Sequence, residues 1–252
     1  MLSRQLTKLV QNLEKKKFRD KYNLFKIEGN KLVQELLISD LKIEHIIGYA
    51  EWFDAHPKEI QGYNYSIVDE KEMKSISNFN SLPEVIALAY IPEHKPDMKE
   101  VENSLSLVLN GIQDPGNLGT IMRVADWFGI RNVFCDNDCA SFHNPKCVQA
   151  SMGAAFRVKV FYTDLIELLN NRPSPDFLHY GTFLDGKNIY QTALNKKGFI
   201  IMGNEGNGIS GEIEKLIDQK LTIPSFAQNE FSTESLNVGV ATGIILSEFK
   251  RG

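Results

Sequence analysis

Three cysteines in 252 residues are too few for a disulfide framework, and their odd number leaves at least one unpaired within the chain. A reducing compartment fits that usage. No apolar run approaches the roughly 18 residues needed to cross a bilayer. The opening residues MLSRQLTKLVQ also lack the uninterrupted apolar centre of a signal peptide. Together these absences predict a cytoplasmic protein that does not enter a membrane. There is no G-x-S-x-G nucleophile elbow, and His45, His56, His94 and His179 are scattered, so triad hydrolysis has no sequence support. Neither an internal repeat nor a low-complexity tract is present. Excess charge is lacking too: the formal net charge is -4, which argues against a protein that grips nucleic acid by bulk electrostatics.

What is present is unevenly distributed. Residues 1–31 hold nine basic side chains against three acidic ones, a local excess that makes this end a candidate anion-facing surface. Lys15, Lys16, Lys17, Arg19 and Lys21 form its densest part. A merely solvated helix face would have the same composition. Leu2, Leu6, Leu9, Val10 and Leu13 recur at helical spacing and predict an amphipathic helix over 3–17. A short strand and second helix in FKIEGNKLVQELLIS follow, then strands in KIEHIIGYA and VIALAYIP, with short helical pieces between them. The segment PEHKPDMKEVENS, with two prolines and alternating charge, reads as a linker. The chain is therefore expected to comprise a small α/β domain, 1–95, and a larger one, 96–252. In the second, short apolar strands alternate with helices: SLSLVLNGI and a helix from 117, RNVFCDN and a helix near 145–154, then FLHYGTFLDG, GFIIMGNEGNGIS, KLTIPSF and SLNVGVATGIILSEFK. This is the pattern of a mostly parallel sheet with helices on both faces, whose ligands sit at the carboxyl ends of strands.

Two phosphate signatures nearly fit the glycine-rich segment GNEGNGISG, 203–211. As a P-loop it places Ile209 where the phosphate-reaching lysine belongs. As a dinucleotide fingerprint it leaves only 41 residues after Gly211, too few to complete a two-halved nucleotide fold. A plain helix-entry turn needing glycine torsions is the structural alternative. Cys135, Cys139, His143 and Cys147 recur every fourth residue and invite a zinc reading, but Asn144-Pro145 interrupts any helix that could align them. No metal is expected.

Three ordered segments carry more information than any of these. NGIQDPGNLGTIMRVADWFGI, GFIIMGNEGNGIS and LTIPSFAQNEFSTESLNVGVATGIILSEF lie at the ends of successive strands. They closely resemble the three signature motifs of the SpoU/TrmH family of RNA ribose 2′-O-methyltransferases, within the SPOUT class. FRDKYNLFKIEGNKLVQELL resembles the small RNA-binding domain that many members carry in front. In the first motif the matching positions are Asn117, Gly119 and Arg123. Asp114-Pro115-Gly116 turns the chain out of its strand, and Asn117 can cap the helix that follows. Six residues on, Arg123 sits among Ile121, Met122, Val124 and Ala125, where burying it unpaired would be costly, so it should face an anion.

By the same resemblance Glu205 is the acidic position of the second motif, and Ser235, Leu236 and Asn237 are the Ser-Leu-Asn of the third. The resemblance implies a C-terminal trefoil knot holding S-adenosylmethionine on Gly203, Asn204, Gly208, Ile223, Pro224 and Leu236, with Arg123, Asn117, Glu205, Ser235 and Asn237 as the catalytic set. Arg123 is then either the base or a charged anchor for phosphate and developing alkoxide. The resemblance also implies a homodimer acting on RNA, ribosomal ahead of transfer RNA. Two departures stand out: Ala227 where relatives have glycine, and about four extra residues in the loop 225–234. The rival readings are an RNA-binding or ribosome-assembly protein without catalysis and a nucleotide hydrolase using GNEGNGIS.

Overall fold

Short apolar runs become strands, and amphipathic stretches between them become helices. The computed structural model describes residues 2–79, 81–227 and 235–251. In chain order, the first half forms α1 (Arg4–Asn12), α2 (Lys16–Tyr22), β1 (Leu24–Glu28), α3 (Asn30–Leu37), β2 (Ile43–Gly48), α4 (Ala50–Ala55), β3 (Tyr65–Ile67), α5 (Glu70–Ile76), β4 (Val85–Tyr90) and α6 (Met98–Glu102). The remainder forms β5 (Leu105–Asn110), α7 (Pro115–Trp127), β6 (Asn132–Cys135), α8 (Pro145–Ser151), β7 (Lys159–Tyr162), α9 (Leu165–Asn170), β8 (His179–Asn188), β9 (Gly198–Gly203), α10 (Gly211–Glu214), β10 (Gln219–Thr222) and α11 (Val238–Lys250).

Two units result. One comprises Met1–Glu93 with Ser141–Phe156, the other His94–Ala140 with Arg157–Gly252. The expected division at residue 95 therefore differs from the observed units in one respect: 141–156, with α8, falls in the first. The reason is packing, because Val148 of α8 is buried in the same cluster as Phe25 and Ile27 of β1. The expected linker is also partly helical, since Asp97 caps α6 and Val101 is buried.

The first unit is a four-stranded sheet, β1-β4-β2-β3, in which only β2 and β3 run parallel. Side chains alternate across it with the period of two that a pleat imposes. Phe25, Ile27, Val85, Ala87 and Ala89 pack with Leu32, Val33 and Leu36 of α3. Leu24, Ile86 and Leu88 pack with Val10 of α1, Leu13, and Met73 and Ile76 of α5. The predicted helix over 3–17 is two helices. Lys15 is extended, and buried Arg19 donates from Nη1 to the carbonyls of Leu13 (2.9 Å) and Glu14 (2.8 Å). Those are carbonyls released where α1 stops, and a buried guanidinium satisfies them. Nearby, buried Lys26 lies 2.6 Å from both Glu14 Oε1 and Glu28 Oε1, so its charge is compensated on two sides.

The second unit is a six-stranded parallel sheet, β10-β8-β9-β5-β6-β7, flanked by helices. The inner strands β5 and β9 are apolar along nearly their whole length, as strands covered on both faces must be. Val101, Leu165 and Ile213 of α6, α9 and α10 join Val108, Phe134, Phe199 and Ile201 in one core, while α7 packs on α11.

His179 at the start of β8 gives this unit a pH dependence. Its ring is buried, Nδ1 donates to the Leu216 carbonyl (2.9 Å), and Nε2 has no hydrogen-bond partner among the described residues. Burial holds its pKa below the ordinary 6.5. The unfolded chain therefore binds a proton that the folded chain refuses, and stability falls as the pH drops below about 6.5. An NMR titration of the imidazole should place its midpoint below the free-histidine value. A midpoint at or above that value would contradict this account.

Candidate active site

Strand β5 ends on Asn110, Gly111 takes a positive φ of 71°, and the chain enters α7 at Pro115. The helix cap is Asp114, whose Oδ1 accepts from the Asn117 N–H (2.8 Å). Asn117 is thus not the cap that the sequence suggested, and the helix begins two residues earlier than expected. Proline lacks an N–H and favours the first helical position, which assigns the capping role to the residue before it. The consequence is functional, because the Asn117 side chain is released. Its Nδ2 donates to Glu205 Oε1, and its Oδ1 accepts from Asn237 Nδ2 (2.8 Å). Asn237 Oδ1 in turn accepts from the N–H groups of Gly239 (3.0 Å) and Val240 (3.3 Å), capping α11. One line of amides therefore joins the three segments that the sequence singled out.

A second set of contacts braces these loops, and the sequence reading missed it. Asn110 Nδ2 and the Gly111 N–H both donate to Asp136 Oδ2 (2.7 and 2.9 Å), and Asn110 Oδ1 accepts from the Ser210 N–H (2.7 Å). Asn204 Nδ2 donates to the Gly111 carbonyl (2.7 Å), while its Oδ1 accepts from the N–H groups of Gly206 (2.9 Å) and Asn207 (3.0 Å). The Asn204 side chain is therefore committed to bracing the turn. A Cβ on Gly203 would lie 2.4 Å from the Gly208 carbonyl carbon, and Gly208 has a φ of 67°, so the tight return 203–208 requires glycine at both places. The available signal was positional: Asn110, Asp136 and Asn204 each sit at the carboxyl end of a parallel strand.

At those strand ends lies a cavity of about 910 Å³. Gly203, Asn204, Glu205, Gly208, Ile223, Pro224, Ser235 and Leu236 all line it. Thr182–Asp185, Phe226, Val238, Ala241 and Ile245 add to the wall. Leu184, Phe226 and Leu236 present large, solvent-accessible apolar surfaces there. Among the described lining residues there are two carboxylates, Glu205 and Asp185, and no lysine or arginine. Such a wall suits an apolar ring and a positive charge better than a phosphate, which weighs against the hydrolase reading of GNEGNGIS. Ala227 also lines the cavity, and residues 228–234 of the lengthened loop lie outside the described residues.

Arg123 is placed differently. It is exposed on α7, no hydrogen bond or ion pair engages it among the described residues, and it is not part of the cavity wall. One turn on, Trp127 is 85% exposed, and Val240 of α11 is exposed as well. In the first unit, Lys15, Lys16, Lys17 and Lys21 are exposed, but Arg19 is buried against Leu13 and Glu14 and cannot face a ligand as the charge run implied. Of the suspected zinc set, Cys139 Sγ donates to the Leu109 carbonyl (3.3 Å), and His143 and Cys147 fall in the other unit from Cys135 and Cys139.

Residues 104–247 match the model of the SpoU rRNA methylase family. This chain belongs to that family. Residues 5–87 match a second model, the MRM3-like substrate binding domain. Among SpoU relatives, the chain is 30% identical over 245 residues to the 23S rRNA (guanosine(2553)-2′-O)-methyltransferase RlmP of Bacillus subtilis, covering 96% of this chain and 94% of that one. A TrmH-family structure from Porphyromonas gingivalis superposes with a TM-score of 0.87 at 36% identity, over 99% of this chain and 98% of the other. The AdoMet-bound rRNA methyltransferase of Sinorhizobium meliloti shares the fold, with a TM-score of 0.85 at 24% identity over 99% and 95%.

The amide line makes a measurable claim about this SpoU-family site. In urea unfolding, a double-mutant cycle of Asn117→Ala and Asn237→Ala should show a coupling of roughly 0.5–1 kcal/mol, the range for one neutral hydrogen bond. Strict additivity would mean that the two amides do not support one another.

Proposed function

We propose that this chain transfers a methyl group from S-adenosylmethionine to a ribose 2′-oxygen of RNA, and that the RNA is ribosomal. The observation carrying this reading is the cation-free, carboxylate-bearing cavity at the strand ends, tied by Asn117 and Asn237 to the helix that bears Arg123. When bound, S-adenosylmethionine supplies an electrophilic methyl on a positively charged sulfonium. Its adenine suits the apolar surfaces of Leu184, Phe226 and Leu236, and its positive charge suits Glu205. The turns at 203–208 and 223–225 present backbone groups to it. Family membership supports the reaction class, and the RlmP name supports ribosomal RNA as the substrate.

Transfer requires the ribose hydroxyl to be positioned and its proton lost. Arg123, Asn117, Glu205, Ser235 and Asn237 form the catalytic set of this reading. A guanidine is expensive to form, so Arg123 acts as a cation that orients the neighbouring phosphate and stabilises the developing alkoxide. The family resemblance implies a homodimer in which each pocket receives the arginine of the other copy, and the place of Arg123 outside the cavity wall of its own chain supports that reading. Exposed Trp127 and Val240 supply the apolar face that such a partner would cover. The exposed lysines of the first unit bind the RNA. A trefoil knot belongs to the same reading, supported by a sheet in which β8, β9 and β5 adjoin out of chain order. Among the described residues no helix is long and apolar enough to cross a membrane, and the proposed site of action is the cytoplasm.

Calorimetry should show S-adenosylmethionine binding and no binding of ATP; the reverse would remove the assignment. Arg123→Ala should lower methyl transfer to ribosomal RNA by at least about 100-fold, the scale of losing one electrostatic stabiliser, while leaving donor affinity within about twofold. Unchanged turnover would reject the role of Arg123. Mixing Arg123→Ala with an inactive Asn237→Ala variant should restore part of the activity, because a mixed dimer has one intact composite pocket. A mixture as inactive as its components would argue for pockets built from single chains.

A further inference from the structure

Helix α2 has an inner and an outer side, and they are unlike. On the inner side, buried Arg19 holds the helix to the end of α1 through the Leu13 and Glu14 carbonyls. Its last turn is fixed by Asn23, in the left-handed region with φ 52°, whose carbonyl accepts from the Ile91 N–H (3.0 Å). On the outer side the rings of Phe18 and Tyr22 lie one turn apart, with centroids 6.3 Å apart and planes within 11° of parallel. Tyr22 is 39% exposed and Phe18 is half-buried. Lys17 Nζ sits 5.0 Å from the Phe18 centroid and Lys21 Nζ 5.3 Å from that of Tyr22.

We infer that Tyr22 and Phe18 form a stacking platform for an unpaired base of the RNA substrate, with Lys17 and Lys21 on its flanking phosphates. This rests on the reading of the chain as an RNA-modifying enzyme and goes beyond it, because it assigns the first unit a preference for unpaired nucleotides. A lysine run alone attracts any polyanion. Aligned rings beside a row of lysines add a surface on which only an unstacked base can lie, since the faces of bases in a duplex are already covered. The ammonium groups over the rings are no obstacle. An exposed cation–π contact is weak, and a lysine that swings to a phosphate exchanges it for an ion pair. Exposed Asp20 on the same helix opposes phosphate, so the lysines must act close to the rings rather than as a diffuse field. The Arg19 anchor means that the rings are displayed before RNA arrives, which lowers the ordering cost of binding.

The test uses the full chain, with a labelled 12-nucleotide oligoadenylate and a blunt 12-base-pair RNA duplex, read by fluorescence anisotropy. Tyr22→Ala should weaken oligoadenylate binding about tenfold, the scale of one stacked base, and leave duplex binding within about twofold. Tyr22→Trp should retain the affinity, and its added indole emission should be quenched by oligoadenylate but not by duplex. Lys17→Ala with Lys21→Ala should weaken both RNAs and reduce the salt slope by about one to two. Equal affinities of wild type and Tyr22→Ala for oligoadenylate, or an indole that oligoadenylate leaves unquenched, would overturn the platform. So would Tyr22-dependent binding of polyglutamate with no RNA preference, which would point to an acidic protein partner. Wild-type chain that binds neither RNA would instead overturn the RNA reading on which the platform rests.

Discussion

The site depends on one side chain that must donate to a carboxylate and accept from an amide at the same time. Asn117 meets Glu205 across 88 residues of sequence and Asn237 across 120. An aspartate there could accept but not donate to Glu205, and a leucine could do neither. The neutral amide also costs little to hold in the half-exposed first turn of α7, whereas a charge would compete with the ligand the cavity is shaped for. Because Asn237 spends its own oxygen on the first amides of α11, the line ends in a helix terminus and not in a mobile side chain.

A parallel sheet makes this possible. Its strands all end at one edge, so loops remote in sequence are adjacent in space. That edge has a cost, since each strand end releases backbone groups that need partners. Asn110, Asp136 and Asn204 satisfy them, and in doing so fix the loops that carry Glu205 and Ser210. Backbone satisfaction and part of the site's geometry therefore come from the same side chains.

Which parts were legible in the sequence follows from what each signal encodes. The alternating strands and helices of 105–250 were legible because buried parallel strands must be continuously apolar, as LSLVLN and GFIIMG are. Residues of the second and third motifs line the cavity, where glycine and proline constraints tie the turns to local sequence, whereas the first motif reaches it only through the Asn117 amide. Arg19 was misread because a charge run records charge and not exposure. The two carbonyls it satisfies exist only once α1 has ended. Asn117 was misread as a cap because Asn and Asp are comparable caps, and the deciding residue is the proline between them. The placement of 141–156 with the first unit was invisible, since Val148 joins a core formed by residues 25–89, remote in sequence. The three-residue β3 is too short to show a period.

Charge is partitioned in a way that the net value of -4 conceals. A methyl donor bearing positive charge and an RNA bearing negative charge make opposite demands on one chain. Lysines on the cavity wall would repel the donor and invite phosphate into its place. On α2 a single exposed carboxylate, Asp20, stands among exposed Lys16, Lys17 and Lys21. The described cavity residues include Glu205 and Asp185 without a cation, while the cations Lys17, Lys21 and Arg123 stand on exposed helix faces. On the reading proposed above, Coulomb repulsion would help keep each ligand from the other's place. On that reading the chain needs no large overall charge to bind RNA, because a local cluster of exposed lysines supplies the attraction.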